Sequence, residues 1–547
     1  MNLALQNVND YYRYCPGEER AKLSNAICFG RRRTHFPKCK GCQFNDDEKN
    51  KPNVPLPAIG QTAEDVENQK RRSIDSIFKS YDVRGLYPDE LDAEFAWRIG
   101  QATAQFLRSE LRGYDRSQSE KSAVIVGRDM RPSSLELQKA LMEGLRAGGS
   151  AVIDIGLIDT PQLYFATNHF TCCGGVQVTA SHNPLPYNGF KFCGQKGKPV
   201  GSDTGLGKIC KIAKNTARHS SGQLAAYRQE DLFEPYRKFV RGFLKYPGAT
   251  DGDGSPKYPP GYSPEQPFRV VVDASNGMAG RWFPLLFEDI DWLEIVPLNF
   301  EHNGEFVHDP NPLVPANLAQ LKDRMVRSKG KLGVCFDGDA DRCVFVDAKG
   351  RPVRADIITA LLANEFLKQS AASVVVYDLR CSRVVAEEIR NAGGIPRRER
   401  CGHTYLKKAL ADSKAVFGGE LSGHYYFRDN WYCDSGMIAF IHVLNLLAET
   451  GKSLQQLIGP LQRYAHSGER NFKNENIDQT IQQLADRYAD GQIDFLDGIT
   501  VQYPDWWFNV RPSNTEPLVR LNLEAKDDEM LDQKLKELVP LLGVPVK

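Results

Sequence analysis

From Ile77 onward, short β-rich runs alternate with helical patterns, and that alternation restricts the fold more than any other feature of the chain. Residues 123–127 form an apolar run of strand length, 134–147 repeat apolar residues at helical spacing, and 151–156 and 174–179 are strand-like again. Further strand-length runs stand at 268–273, 331–336, 373–378 and 415–418. Strands separated by segments long enough for a helical crossover pair in parallel, so the expectation is α/β layers with mixed or mainly parallel sheets. After about Gln462 the rhythm changes, and a smaller α+β unit is expected to close the chain. No internal repeat stands out.

At roughly 150 residues per domain, 547 residues allow three or four domains. The divisions read from the pattern are an arm and linker over 1–75, then units at 76–226, 227–351, 352–462 and 463–547. The arm carries Cys15, Cys28, Cys39 and Cys42 in a basic, aromatic stretch and is followed by Pro52, Pro55 and Pro57. Residues 246–267 are rich in Pro and Gly and read as a surface loop before the next strand.

Bulk composition excludes several classes. Lys plus Arg (70) nearly equals Asp plus Glu (69), so no global field recruits nucleic acid or an anionic membrane. An anionic ligand must then be held by local clusters. The N-terminus lacks a basic head followed by an apolar stretch, which is not the pattern of a signal peptide. The longest apolar run, 437–448, is too short to span a bilayer and reads as a buried helix. An odd count of 13 scattered cysteines fits reduced thiols in a cytoplasm better than a disulfide framework.

Four motifs carry chemistry. In Thr179-Ala180-Ser181-His182-Asn183-Pro184 a strand ends at a serine, with His182 and Lys191 nearby in sequence. Alone this reads as an exposed polar turn with a capping serine, and adjacent side chains diverge too far for a Ser181–His182 dyad. Asp337-Gly338-Asp339-Ala340-Asp341-Arg342 follows an apolar run directly. Three carboxylates so close need a cation, and oxygen-only ligands suit Mg²⁺, often shared with a phosphate oxygen. The competing reading is a solvated acidic turn. Asp251-Gly252-Asp253-Gly254, in the Pro-rich stretch, reads as a surface turn only.

In Gly418-Gly419-Glu420-Leu421-Ser422-Gly423-His424, Glu420 and Ser422 suit sugar hydroxyls and His424 suits proton transfer. Arg511-Pro512-Ser513-Asn514-Thr515-Glu516-Pro517 combines a guanidinium fork, hydroxyls, an amide and turn N–H groups, a cradle for a phosphate dianion. Each of these two alone is also an ordinary loop. Every motif follows a strand-like run, so one cleft beyond the strand ends is expected to hold them all.

The set resembles the α-D-phosphohexomutase superfamily, in its phosphomannomutase/phosphoglucomutase branch. The resemblance runs from about Phe78 to the C-terminus, in the family's order. It takes in Tyr81-Asp82-Val83-Arg84-Gly85, Gly127-Arg128-Asp129, the serine and acidic loops, Gly402-His403-Thr404, the Glu420 loop and the Arg511 loop. It implies three α/β domains and a smaller α+β domain around a central cleft, and interconversion of hexose 1- and 6-phosphates through phosphoserine and a 1,6-bisphosphate that also serves as activator.

By that resemblance Ser181 is the phosphoserine, and Asp337, Asp339 and Asp341 hold Mg²⁺ together with a phosphoseryl oxygen. Lys191, His403 and His424 are implied for acid/base and orienting work, and Arg342 for the reacting phosphoryl group. Tyr81, Arg84, Arg380, Glu420, Ser422, Arg511, Ser513, Asn514 and Thr515 are implied for substrate. Arg380 stands where many relatives carry lysine. Tyr426-Phe427-Arg428-Asp429 and Cys433-Asp434-Ser435-Gly436 resemble phosphomannomutases more than phosphoglucosamine mutases, and Glu420 and Ser422 suit 3- and 4-hydroxyls, which mannose and glucose share.

A phosphatase with Asp337 and Asp339 as its nucleophile pair would leave the serine and Arg511 loops without work, and a non-catalytic sugar-phosphate-binding protein would be expected to lack Ser181 or one of the aspartates, all of which are present. The implied partners are small sugar phosphates, with no nucleic acid and no membrane, in a monomer or homodimer. The cysteine arm has no counterpart in the family. Cys15, Cys28, Cys39 and Cys42 are enough thiolates for one structural Zn²⁺ site, but four reduced thiols are the slightly favoured reading, with an iron–sulfur cluster as a further alternative.

Overall fold

The structure is a computed structural model, and it describes residues 12–14, 22–24, 74–111, 119–218, 223–248, 257–513 and 518–546. Cys15, Cys28, Cys39, Cys42, Asn514, Thr515 and the Asp251–Asp253 turn lie outside the described residues.

The first large sheet has six strands. Val124–Arg128 pairs in parallel with Val152–Leu157 and Gly174–Val178, and Tyr187–Gly194 adds antiparallel to Gly174–Val178. A four-stranded sheet follows: Leu293–Leu298, Phe268–Asp273 and Leu332–Phe336 are parallel, and Cys343–Val346 is antiparallel at the edge. The third, five-stranded, sheet sets Ile395–Glu399, Val374–Asp378 and Phe417–Gly419 parallel, then Tyr425–Phe427 and Cys433–Asp434 antiparallel. The last unit is a seven-stranded antiparallel sheet with the helices Ile477–Arg487 and Asp528–Leu542. The α/β-then-α+β reading therefore holds, and each expected strand lies within one or two residues of an observed one.

Helix starts explain why the segments divide where they do. Asp92, Asp159, Ser435 and Asp527 each accept a backbone N–H of the first turn of the helix that follows, and Pro161 sits at the start of the helix Thr160–His169. The apolar run noted in the sequence is the buried helix Gly436–Thr450. No described helix is long and apolar enough to cross a membrane.

One apolar core runs continuously from the first sheet through the second and third units, from Ile125 through Phe283 and Phe440 to Leu461. Phe440, on the helix Gly436–Thr450, packs its ring 5.0 Å from Phe283 of the second unit. Each such ring contributes about 2–3 kcal/mol when fully buried. The C-terminal unit has a separate core around Phe508, Leu521 and Leu538. It meets the third unit partly through polar groups: Arg383 Nη2 donates to the Tyr503 carbonyl at 3.1 Å, and its backbone N–H to Glu524 at 3.1 Å.

The three α/β sheets share a device that the sequence did not disclose. In each, a parallel strand turns back through a short loop into the antiparallel strand beside it. Those loops are 179–186, 337–342 and 420–424, the serine, acidic and Glu420 motifs. The repeat is one of topology, carried by different residues in each copy.

Candidate active site

Ser181 sits at the top of the first loop with its backbone in the left-handed region (φ 50°), which turns its side chain inward. The sequence reading exposed this hydroxyl; the structure buries it completely. The acidic loop lies over it so closely that a Cβ on Gly338 would stand 2.4 Å from the Ser181 carbonyl oxygen. Ser181 Oγ–H donates to Asp337 Oδ2 at 2.9 Å. The same left-handed turn brings His182 Nδ1 to 3.3 Å from Oγ, a contact that extended backbone geometry would forbid. The expectation that these neighbours diverge is corrected on that account.

Arg131 shapes the loop from below, and sequence reasoning missed it. Its guanidinium is fully buried, pairs with Asp129 at 3.2 Å, and donates to four carbonyls, those of Ser181, Asn183, Pro184 and Tyr187, at 2.7–3.0 Å. Arg84 adds bonds to the Ala180 carbonyl (3.2 Å) and to the Asn183 side chain.

The three carboxylates of the acidic loop are buried, with ligand oxygens within 4.8 Å of one another. Burial pushes the Asp337 carboxyl well above its usual range, and Asp341 and Asp339 push it further. Burial acts the same way on Asp339, but the Lys191 ammonium at 2.7 Å outweighs it and holds that carboxyl below its ordinary value. Lys191 also bonds Asp341, and Thr160 Oγ donates to Asp339 at 2.5 Å. Asp339 Oδ1 and Asp341 Oδ1 are buried yet accept no hydrogen bond from any described residue. Buried carboxylate oxygens facing one another without donors fit a hard divalent cation such as Mg²⁺.

Behind the acidic loop runs a polar chain. Arg342 Nε–H donates to His424 Nε2 at 2.9 Å. Because a guanidinium only donates, Nε2 is unprotonated and the ring proton sits on Nδ1, 2.7 Å from Asp434 Oδ2. Lys407, equally buried, reaches the other Asp434 oxygen at 2.7 Å. His403 lies nearby, its ring 6.1 Å from that of His424 and 5.5 Å from that of Tyr81. Burial drives His403 far below the usual histidine value, and Lys407 adds to the effect, so its ring is neutral. Tyr81 O–H donates to the Cys401 carbonyl at 2.8 Å and occupies the space that a Cβ on Gly402 would need.

Tyr81, His182, Arg342, His403 and His424 face a cleft of about 790 Å³. His182, Arg342 and His424 line one side; Glu420 and Ser422 form a middle wall, joined by a 3.2 Å hydrogen bond; Arg380, Arg511, Ser513 and Arg520 stand on the far side. Arg380 is tied to Asp378 by two bonds, at 3.1 and 2.8 Å. Arg511 and Arg520 converge on Glu469. Of the sequence-expected site residues, Tyr81, Arg342, Arg380, His403, Glu420, Ser422, His424, Arg511 and Ser513 line this cleft, while Ser181, Arg84, Lys191 and the three aspartates form a buried hydrogen-bonded cluster that reaches it through His182 and Arg342; Arg131, Thr160, Lys407, Asp434, Glu469 and Arg520 are additions. Lys407 could have been found: it lies one helical turn after His403, on the same face.

The four domains of one enzyme family match this chain in order. The descriptions "Phosphoglucomutase/phosphomannomutase, alpha/beta/alpha" domains I, II and III match residues 75–219, 257–350 and 354–464, and the C-terminal domain of the same family matches 469–540. The chain belongs to the phosphoglucomutase/phosphomannomutase family. It is 37% identical over 471 residues to the Xanthomonas campestris protein named "Phosphohexose mutases", covering 85% of this chain and 98% of the relative. A Vibrio cholerae phosphomannomutase is 35% identical over 477 residues, covering 85% and 98%. A solved phosphoglucomutase/phosphomannomutase family protein from Burkholderia thailandensis superposes with a TM-score of 0.73 at 32% identity, covering 86% of this chain and 99% of that one. This chain is therefore a phosphohexomutase, an isomerase that moves a phosphoryl group on a hexose phosphate.

Proposed function

We propose that the enzyme interconverts the 1- and 6-phosphates of mannose, glucose or both through a phosphoryl group carried on Ser181 and a hexose 1,6-bisphosphate. The observation that carries this reading is the 2.9 Å contact of Ser181 Oγ with Asp337, whose neighbours His182 and Arg342 line the same cleft as a separate guanidinium cluster. A mutase needs both, since one end of the sugar reacts while the other is anchored.

In the reading, Asp337, Asp339 and Asp341 would hold Mg²⁺, which would supply charge stabilisation for phosphoryl transfer. Arg342 adds a fixed positive charge next to Asp337. The attacking sugar hydroxyl gives its proton to a neutral imidazole. His403, kept neutral by burial, is the candidate, while His424, whose Nε2 already accepts from Arg342 and whose Nδ1 faces Asp434, orients the substrate. Lys191, bound by two carboxylates and pushed above its ordinary pKa, serves as a cation and donor rather than as a base. Glu420 and Ser422 read the shared 3- and 4-hydroxyls, Arg84 borders the serine loop and Tyr81 packs against His403, and Arg380, Arg511, Ser513, Asn514 and Thr515 anchor the non-reacting phosphate.

After the first transfer the bisphosphate turns end for end and returns its other phosphate to Ser181. A glucosamine-phosphate substrate and a phosphatase outcome are the alternatives. The reading puts the reaction in the cytoplasm, without nucleic acid or membrane partners, in a monomer or homodimer. Turnover of mannose, glucose and glucosamine 1-phosphates, measured side by side, tests it: mannose and glucose should turn over at least tenfold faster than glucosamine. Release of inorganic phosphate instead of a 6-phosphate would overturn it.

A further inference from the structure

Glu469 has no place in the reading so far, yet it sits inside the phosphate anchor. Arg511 and Arg520 stand directly opposite each other on the antiparallel strands Trp506–Pro512 and Leu518–Ala525. Like charges at opposed positions repel. Glu469 ends the turn before the strand Arg470–Lys473, which pairs with Leu518–Ala525, and its carboxylate bridges the two guanidiniums. Oε2 accepts from Arg511 at 3.1 Å and Oε1 from Arg520 at 2.9 Å, while Arg380 Nη1 lies 3.6 Å away. All four side chains line the cleft.

The other charges here are largely committed. Arg380 is neutralised by Asp378, with Glu420 at 3.7 Å, and Asp497 also faces Arg511. We propose that Glu469 is a built-in counter-ion of the phosphate anchor, which weakens its hold on a phosphate dianion so that the bisphosphate intermediate can let go and turn.

The physical case is one of competing anions. Two opposed guanidiniums with no carboxylate between them would bind a dianion bidentately from both sides, a strong arrangement in a partly dry cleft. A mutase that anchors too well cannot reorient its intermediate. Glu469 satisfies the arginine pair in the free enzyme and repels the incoming phosphate, so the anchor binds without trapping. The arginines keep the carboxylate ionised: burial would raise its pKa, but Arg380, Arg511 and Arg520 bring it to about 2.

This inference rests on the proposed reading of the Arg511 loop as the phosphate anchor. The test uses Glu469→Gln in the full-length enzyme, with inorganic phosphate as a calorimetric probe and mutase kinetics beside it. Removing one negative charge next to a bound dianion should tighten phosphate binding roughly tenfold. The same change should lower kcat and reduce the bisphosphate escaping per turnover. Arg520→Gln should weaken phosphate binding, and the double variant should return close to the parent affinity. The double variant also keeps the test open if Glu469→Gln folds poorly. Unchanged or weaker phosphate binding in Glu469→Gln would overturn the proposal, because Glu469 would then only be orienting the guanidiniums. Tighter phosphate binding in an enzyme that turns over no hexose phosphate would instead sink the reading of the site and leave the counter-ion role standing.

Discussion

Arg131→Lys is predicted to disable catalysis from a position that never touches substrate. The guanidinium holds four carbonyls of the serine loop and neutralises Asp129. A lysine keeps the charge but has no planar fork, and its single ammonium reaches two of those carbonyls at most. Leaving a buried carbonyl without a donor costs about 1–3 kcal/mol, so two such losses give roughly 2–6 kcal/mol. That is a large share of a typical domain's stability and should show as a clear fall in the denaturation midpoint. The catalytic effect is separate: letting Ser181 drift by about 1 Å from its aligned position is worth roughly 10²-fold in rate. Chemical denaturation and steady-state kinetics on the same preparation read both. A variant that loses stability but keeps kcat within twofold would refute the argument, because Ser181 would then be positioned by something other than this clamp.

Three further outcomes follow from the geometry. Asp339→Asn removes a charge that Lys191 and Thr160 hold in place; it should weaken Mg²⁺ affinity at least tenfold, read by calorimetry, and an unchanged Mg²⁺ titration would exclude the acidic loop as the metal site. Asp434→Asn should lower kcat roughly 10²-fold or more with little change in KM, because the charge that faces His424 Nδ1 and holds the ring between Arg342 and Lys407 is lost; a pure KM effect would contradict the assignment. Arg511→Lys should raise KM for 1- and 6-phosphates alike through loss of the fork, and unaffected kinetics with both would place the anchor elsewhere.

The parts of this enzyme visible in the sequence were those whose chemistry is local in the chain. Three aspartates at alternate positions after an apolar strand announce themselves, as does a serine at a strand end followed by Asn, Pro and Gly. What stayed hidden depends on distant pairings. Arg131 acts on carbonyls some fifty residues away, Asp434 matters only because Tyr425–Phe427 folds back beside it, and Glu469 meets Arg511 and Arg520 only across a sheet. Burial of Ser181 was missed for the same reason: the acidic loop that covers it lies 156 positions further on. The threefold loop device is invisible to sequence comparison because topology, and not side chains, repeats.

The central claim is that Ser181 carries the phosphoryl group. Intact-mass and peptide-mapping mass spectrometry, after incubation with a hexose 1,6-bisphosphate, tests it most directly. The account predicts one added phosphate, on the peptide containing Ser181, and its loss in Ser181→Ala together with nearly all activity. Phosphate on Asp337, or full turnover by Ser181→Ala, would contradict it.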